Sequence, residues 1–128
     1  MNRLVSTLLI IVGIIHLLPL SGVLGAERLM ALYSVAVTDQ NIEIPMRHRA
    51  VLFGLLGAFM VYAALKPPLH VLAIVSGLVS VVSFITIAWA TGDYNDALRK
   101  VVIADVIALV LLVVAGTARM SGASQAGR

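Results

Sequence analysis

Four apolar runs, separated by polar segments too short to fold alone, constrain this chain more than any other feature. The first, Leu4 to Ala26, and the third, about Leu69 to Thr91, contain no Asp, Glu, Lys or Arg. Each can cross a hydrocarbon core roughly 30 Å thick at about 1.5 Å per helical residue. The other two are shorter. Ala50 to Leu65 covers only roughly 24 Å and Val106 to Ala118 roughly 20 Å, so both draw ionisable neighbours to the membrane boundary or inside it. Those neighbours are Arg47-His48-Arg49 ahead of the second run and Asp105 ahead of the fourth.

Composition agrees. The 128 residues are 61% hydrophobic and 12% charged, with a mean hydropathy of +1.07, whereas soluble domains are nearer half apolar and a quarter charged. The expected fold is all-α, an integral membrane four-helix antiparallel bundle occupying residues 1–120, with spans at about 4–20, 44–65, 69–91 and 97–118. Residues 121–128 read as a small, polar, flexible tail. No second domain fits, so function must reside in the bundle or its loops. Cysteine is absent, which excludes disulfides, thiolate chemistry and thiolate metal ligation. The net charge of +3 comes from Lys and Arg scattered at helix ends. That pattern points to lipid headgroups and topology rather than nucleic acid.

Along the chain, Met1 to Ala26 competes as a signal peptide cleaved near Val23-Leu24-Gly25. Its apolar stretch exceeds the usual core of about 7–15 residues, which favours a first span loosened at its end by Pro19. Leu29, Leu32, Tyr33 and Ala36 recur at helical spacing and predict a short amphipathic helix lying in the interface. Asn41 is the expected N-cap of the second span, and Glu43 and Arg47 stand at i and i+4, a favourable pairing. Lys66-Pro67-Pro68 ends that span, and His70 beyond it reads as interfacial. Gly54, Gly57 and Tyr62 read as packing residues. Ala73, Ser76, Gly77, Ser80 and Ser83 form one small, weakly polar stripe that lets helices approach closely, within the chain or in a homo-oligomer or complex with another membrane protein. Trp89 and Tyr94 fall where aromatic anchors sit. Four spans place both termini on one side, expected to be cytoplasmic because Arg47 and Arg49 are sequestered by the bundle on the other.

Depth picks out a candidate site. His16 lies 13 residues from Arg3, Asp105 lies 14 from Arg119, Arg49 lies 17 from Lys66, and Ser80 and Ser83 lie 14 and 17 beyond Lys66. All five therefore share a layer roughly 20–25 Å from the termini side. An isolated charge at that depth costs at least about 2.5 kcal/mol, so it turns inward and finds a partner. The expectation is an ion pair of Asp105 with Arg49, or with Arg47, joined by His16 or His48. The plainer reading makes that pair a device for helix register; the sharper one makes the layer a ligand or proton-handling site. No HxxxH or ExxH spacing supports a metal at His16, His48 and Asp105. A haem held by His16 and His48 would need the two rings to face each other. No Gly-rich phosphate loop or nucleophile elbow occurs, so enzymatic chemistry has no motif to rest on.

The run Gly22-Val23-Leu24-Gly25, then Leu29 to Tyr33, then Arg47-His48-Arg49-Ala50-Val51-Leu52-Phe53-Gly54 resembles the DoxX-like group of small bacterial four-helix membrane proteins over most of Leu4 to Ala118. The resemblance implies a multi-pass protein of the bacterial inner membrane, and in part of the group a link to quinone-dependent oxidation. Similar short chains also carry the name phosphopantetheine adenylyltransferase, but the parallel sheet and Gly-His phosphate motif of that soluble fold have no counterpart in these residues. The leading functional expectation is an accessory or partner-binding membrane subunit. A quinone- or cofactor-binding redox subunit and a small proton-coupled transporter are the competing classes.

Overall fold

The computed structural model describes residues 2–127. Among them the chain forms five α-helices and no strand: α1 (Asn2–Leu17), α2 (Ala26–Tyr33), α3 (Gln40–Ala64), α4 (His70–Thr91) and α5 (Asp96–Ala126). Tighter 3₁₀ turns at Leu18–Leu24 and Pro67–Leu69 extend α1 and lead into α4. Taken with those turns, four stretches are long and apolar enough to cross a membrane: Asn2–Leu24, Gln40–Ala64, Pro67–Thr91 and Asp96–Ser124. That makes this a multi-pass membrane protein by length and composition. Leu55, Val79 and Ile87, each about two-thirds exposed, are then the surface that lipid covers.

Local chemistry sets the boundaries. Pro19 has no N–H to continue the α1 ladder, and the chain tightens into the 3₁₀ turn instead of running on as an α-helix. Gly25, at φ 136°, makes the sharp entrance to α2 that a side chain would resist. Asp39 rather than Asn41 caps α3. Its carboxylate accepts from the Asn41 backbone N–H at 2.8 Å and from Asn41 Nδ2 at 2.9 Å, so the expected cap residue is itself the capped one. Glu43 and Arg47 do pair, at 3.5 Å. The fourth long helix, expected to stop near Ala118, continues to Ala126, because Gly122 and the nearby serines weaken a helix without breaking it as proline would. Of the expected tail, Arg128 lies outside the described residues.

The main core is built on α1, α3, α4 and α5 around the fully buried Val5, Leu9, Val12, Met60, Val81 and Leu112. Helix α1 packs on α3 through glycines: a Cβ on Gly57 would stand 2.6 Å from the Gly13 carbonyl oxygen. Gly77, in the small-residue stripe of α4, admits Met60 and Leu112 against its bare Cα. A second, smaller cluster of Leu29, Tyr33 and Val37 pins α2 and its following strap against Met46, Leu98 and Val101. One expectation fails here, and one residue expected at the interface is enclosed by the chain. Tyr62 is 54% exposed and packs no core. His70 is fully buried, with Nε2 3.3 Å from the Ala64 carbonyl, because the Pro67–Leu69 turn folds it back beneath the end of α3.

Candidate functional site

A cavity of about 480 Å³ lies between α1 with its 3₁₀ extension, the end of α2, α3 and the first half of α5. Ile15, His16, Leu18 and Pro19 form one wall, and Ala31 to Ser34 form the roof. Arg49 and Phe53 come from α3, while Asp96, Ala97, Lys100, Val101, Ala104 and Asp105 recur along one face of α5. From Asp96 to Asp105 that face descends roughly 13 Å at the helical rise. The walls are mainly apolar, with a few convergent polar groups, a composition that small-molecule sites share.

His16 is 2% exposed. Its Nδ1 lies 2.9 Å from the Val12 carbonyl oxygen, which can only accept, so Nδ1 carries the hydrogen. In the neutral ring Nε2 is then an acceptor, and the Ser80 hydroxyl donates to it at 3.3 Å. The imidazole stacks on Phe53 with centroids 5.6 Å apart and planes at 25°. Phe53 in turn lies 4.8 Å beneath the Arg49 guanidinium, which also stands over Tyr33 at 5.4 Å and Phe84 at 5.3 Å. Arg49 Nη1 donates to the Tyr33 hydroxyl at 3.0 Å. Three rings thus surround this half-buried cation, which makes no direct contact with its expected counter-ion. Each such contact contributes about 0.5–2 kcal/mol depending on desolvation.

Tyr33 is held over Arg49 by a residue with two tasks. The Asn95 side-chain oxygen caps α5 by accepting from the Leu98 N–H at 2.8 Å, while its Nδ2 donates to the Tyr33 carbonyl at 2.8 Å and to the Ser34 carbonyl at 3.3 Å. One amide therefore joins the end of α2 to the start of α5. Ser34, at φ 52°, terminates α2 with its N–H on the Met30 carbonyl at 2.8 Å.

Of the residues singled out from sequence, His16, Arg49 and Asp105 meet in this cavity and Ser80 joins through His16. Arg47 and His48 do not line it, and both are exposed. Successive helical residues point about 100° apart, and Arg49 takes the inward direction. Arg47 instead donates through Nε to the Val23 carbonyl at 2.9 Å and fastens α3 to the 3₁₀ turn. With His48 outside, the facing histidine pair needed for haem does not form. Ser76 is half-buried, and Ser83 is exposed with its hydroxyl on the Ser80 carbonyl at 2.9 Å. The direct ion pair expected for Asp105 is also not formed: the salt bridges within 4.0 Å among the described residues are Arg47–Glu43 and Arg99–Asp96. Asp105 is 6% exposed and opens onto the cavity, with no side-chain hydrogen bond to it among the described residues. Nor do three or more His, Asp or Glu side chains among the described residues gather at one metal-holding point.

Tyr33, Phe53, Phe84, Asn95, Asp96 and Lys100 are site residues that sequence reasoning missed. A signal for part of the set was present, since Phe53 stands four residues after Arg49 and Lys100 four after Asp96, each on a common helix face. Comparison of the chain with family models, curated proteins and solved structures finds no match.

Proposed function

We propose that this protein is a small accessory subunit of the bacterial inner membrane that binds an amphipathic small molecule in the cavity between α1, α2, α3 and α5. In this reading the four long helices cross as an antiparallel bundle, α2 lies in the interface, and both termini are cytoplasmic. The exposed face of α4 around Val79 and Ser83 meets a second copy or a membrane-protein partner. The carrying observation is the meeting of His16, Arg49 and Asp105 at the deep end of a largely apolar cavity of about 480 Å³, within the usual ligand-site range of about 300–1,000 Å³. Apolar parts of the ligand rest on Ile15, Leu18, Leu32 and Val101, and its polar head meets the buried charges.

A redox variant of this reading draws on the His16 ring stacked on Phe53, with the Arg49 guanidinium 4.8 Å from the Phe53 centroid, surfaces suited to a flat ring such as a quinone. The resemblance to the DoxX-like group points the same way. Protein released from its own membranes in mild detergent tests both by native mass spectrometry and absorption. A bound small molecule lost in Asp105→Asn and Arg49→Gln but kept in Arg47→Gln supports the ligand site, and a quinone spectrum supports the redox form. Wild-type protein free of any small molecule would reduce the buried layer to a helix-register device.

A further inference from the structure

We infer that the ligand of this cavity is a zwitterionic amphiphile, its anionic group held by Arg49 and its ammonium by Asp105; this rests on the ligand site proposed above. The cavity is lined by two acids, Asp96 and Asp105, and two bases, Arg49 and Lys100. Its charge is balanced, so a simple cation or a simple anion gains nothing from the net field. A molecule carrying both signs gains at each end.

The two charges lie within electrostatic reach of one another but make no direct contact. Arg49 and Asp105 line one cavity, yet their charged atoms are more than the 4.0 Å of a salt bridge apart. Asp105, 6% exposed, is a carboxylate that accepts and cannot donate when ionised, while His16 Nε2 is already satisfied by the Ser80 hydroxyl. The carboxylate therefore asks for a group rich in N–H donors. Arg49 asks for the opposite. Phe53 and Phe84 lie against its guanidinium and Nη1 is engaged by Tyr33, which leaves its other N–H groups for an oxyanion. The Tyr33 hydroxyl, already accepting from Arg49, still has its own hydrogen to donate to the same oxyanion. A short linker between ammonium and oxyanion, as in ethanolamine phosphate, gives a ligand with one group for each charge. That chemistry belongs both to a zwitterionic lipid headgroup and to a free zwitterionic solute.

The test is calorimetric titration of the purified full chain with short-chain phosphatidylethanolamine, short-chain phosphatidylglycerol and free phosphoethanolamine. Phosphatidylethanolamine is expected to bind at least about tenfold more tightly than phosphatidylglycerol, which lacks the ammonium. That preference should vanish in Asp105→Asn and return in Asp105→Glu. Lipid binding tighter than free phosphoethanolamine assigns the site to a headgroup, and equal binding assigns it to a free solute. Equal affinity for the two lipids in the wild-type protein overturns the inference without relying on any variant. If neither lipid binds but a short-chain quinone does, the zwitterion is wrong and the ligand site stands. If nothing binds, both fall.

Discussion

The closest helix approach makes a quantitative test of the packing. In Gly57→Ala the new Cβ would lie 2.6 Å from the Gly13 carbonyl oxygen, 2.9 Å from Leu17 Cγ and 3.1 Å from Leu17 N. Two of these neighbours are backbone atoms of α1 and cannot swing aside. An ordinary carbon–oxygen contact is about 3.3 Å, so α1 must retreat by about 0.7 Å. Overpacking of this kind costs about 1–3 kcal/mol, and rigid backbone neighbours put Gly57 at the upper end. The better helix propensity of alanine returns about 1 kcal/mol, which leaves a net loss of about 2 kcal/mol. Gly116→Ala is the matched control, because its Cβ meets only Ile74 Cγ2, at 3.8 Å. There the propensity gain acts alone, and the two variants should differ by about 3 kcal/mol, more than about a hundredfold in the unfolding equilibrium. Unfolding by sodium dodecyl sulfate in mixed micelles, followed by far-ultraviolet circular dichroism, measures the difference. Equal stability of the two variants, or a more stable Gly57→Ala, would refute the close α1–α3 packing.

Asn95→Ala should lose about 1–2 kcal/mol through the α5 cap and the clamp on α2, whereas Asn95→Asp keeps the cap oxygen and loses only the donor to Tyr33. Protease susceptibility of the 26–39 segment separates the two, since both variants should loosen it while Asn95→Asp keeps the greater stability. Arg49→Lys preserves charge but gives up the guanidinium's contacts with three rings, and should destabilise by about 1–2 kcal/mol in the same unfolding assay. A variant as stable as the parent would mean that the rings do not hold the cation. Asp39→Ala should cost about 1 kcal/mol and Asn41→Ala distinctly less, and the reverse order would return the α3 cap to Asn41.

Counting residues from the charged ends was enough to bring His16, Ser80, Arg49 and Asp105 to a common depth, because helical rise is nearly constant and does not depend on partners. Rotation about each helix was harder. Arg47, His48 and Arg49 are adjacent and differ by about 100° steps, so sequence does not say which one turns inward. The Val23 carbonyl settles it for Arg47, and that acceptor exists only once the 3₁₀ turn has formed. The expected Asp105–Arg49 contact failed for a related reason. Aromatic rings from three separate elements converge on Arg49, and nothing local foretells Phe84 or Tyr33 as its neighbours. The spans themselves were legible because hydrophobic length is a one-dimensional property. The burial of His70 was not, since it depends on how the Pro67–Leu69 turn re-enters the fold.

The most direct test of the central claim blocks the cavity without touching its charges. Ala104 lines it and is only half-buried, so Ala104→Phe places a ring in the ligand volume while leaving His16, Arg49 and Asp105 in place. Native mass spectra of both proteins, each released from its own membranes, give the readout. The prediction is a small-molecule adduct on the wild type that is lost from Ala104→Phe, with the helical circular dichroism unchanged. An adduct carried equally by both proteins, or by neither, would contradict the assignment of this cavity as the binding site.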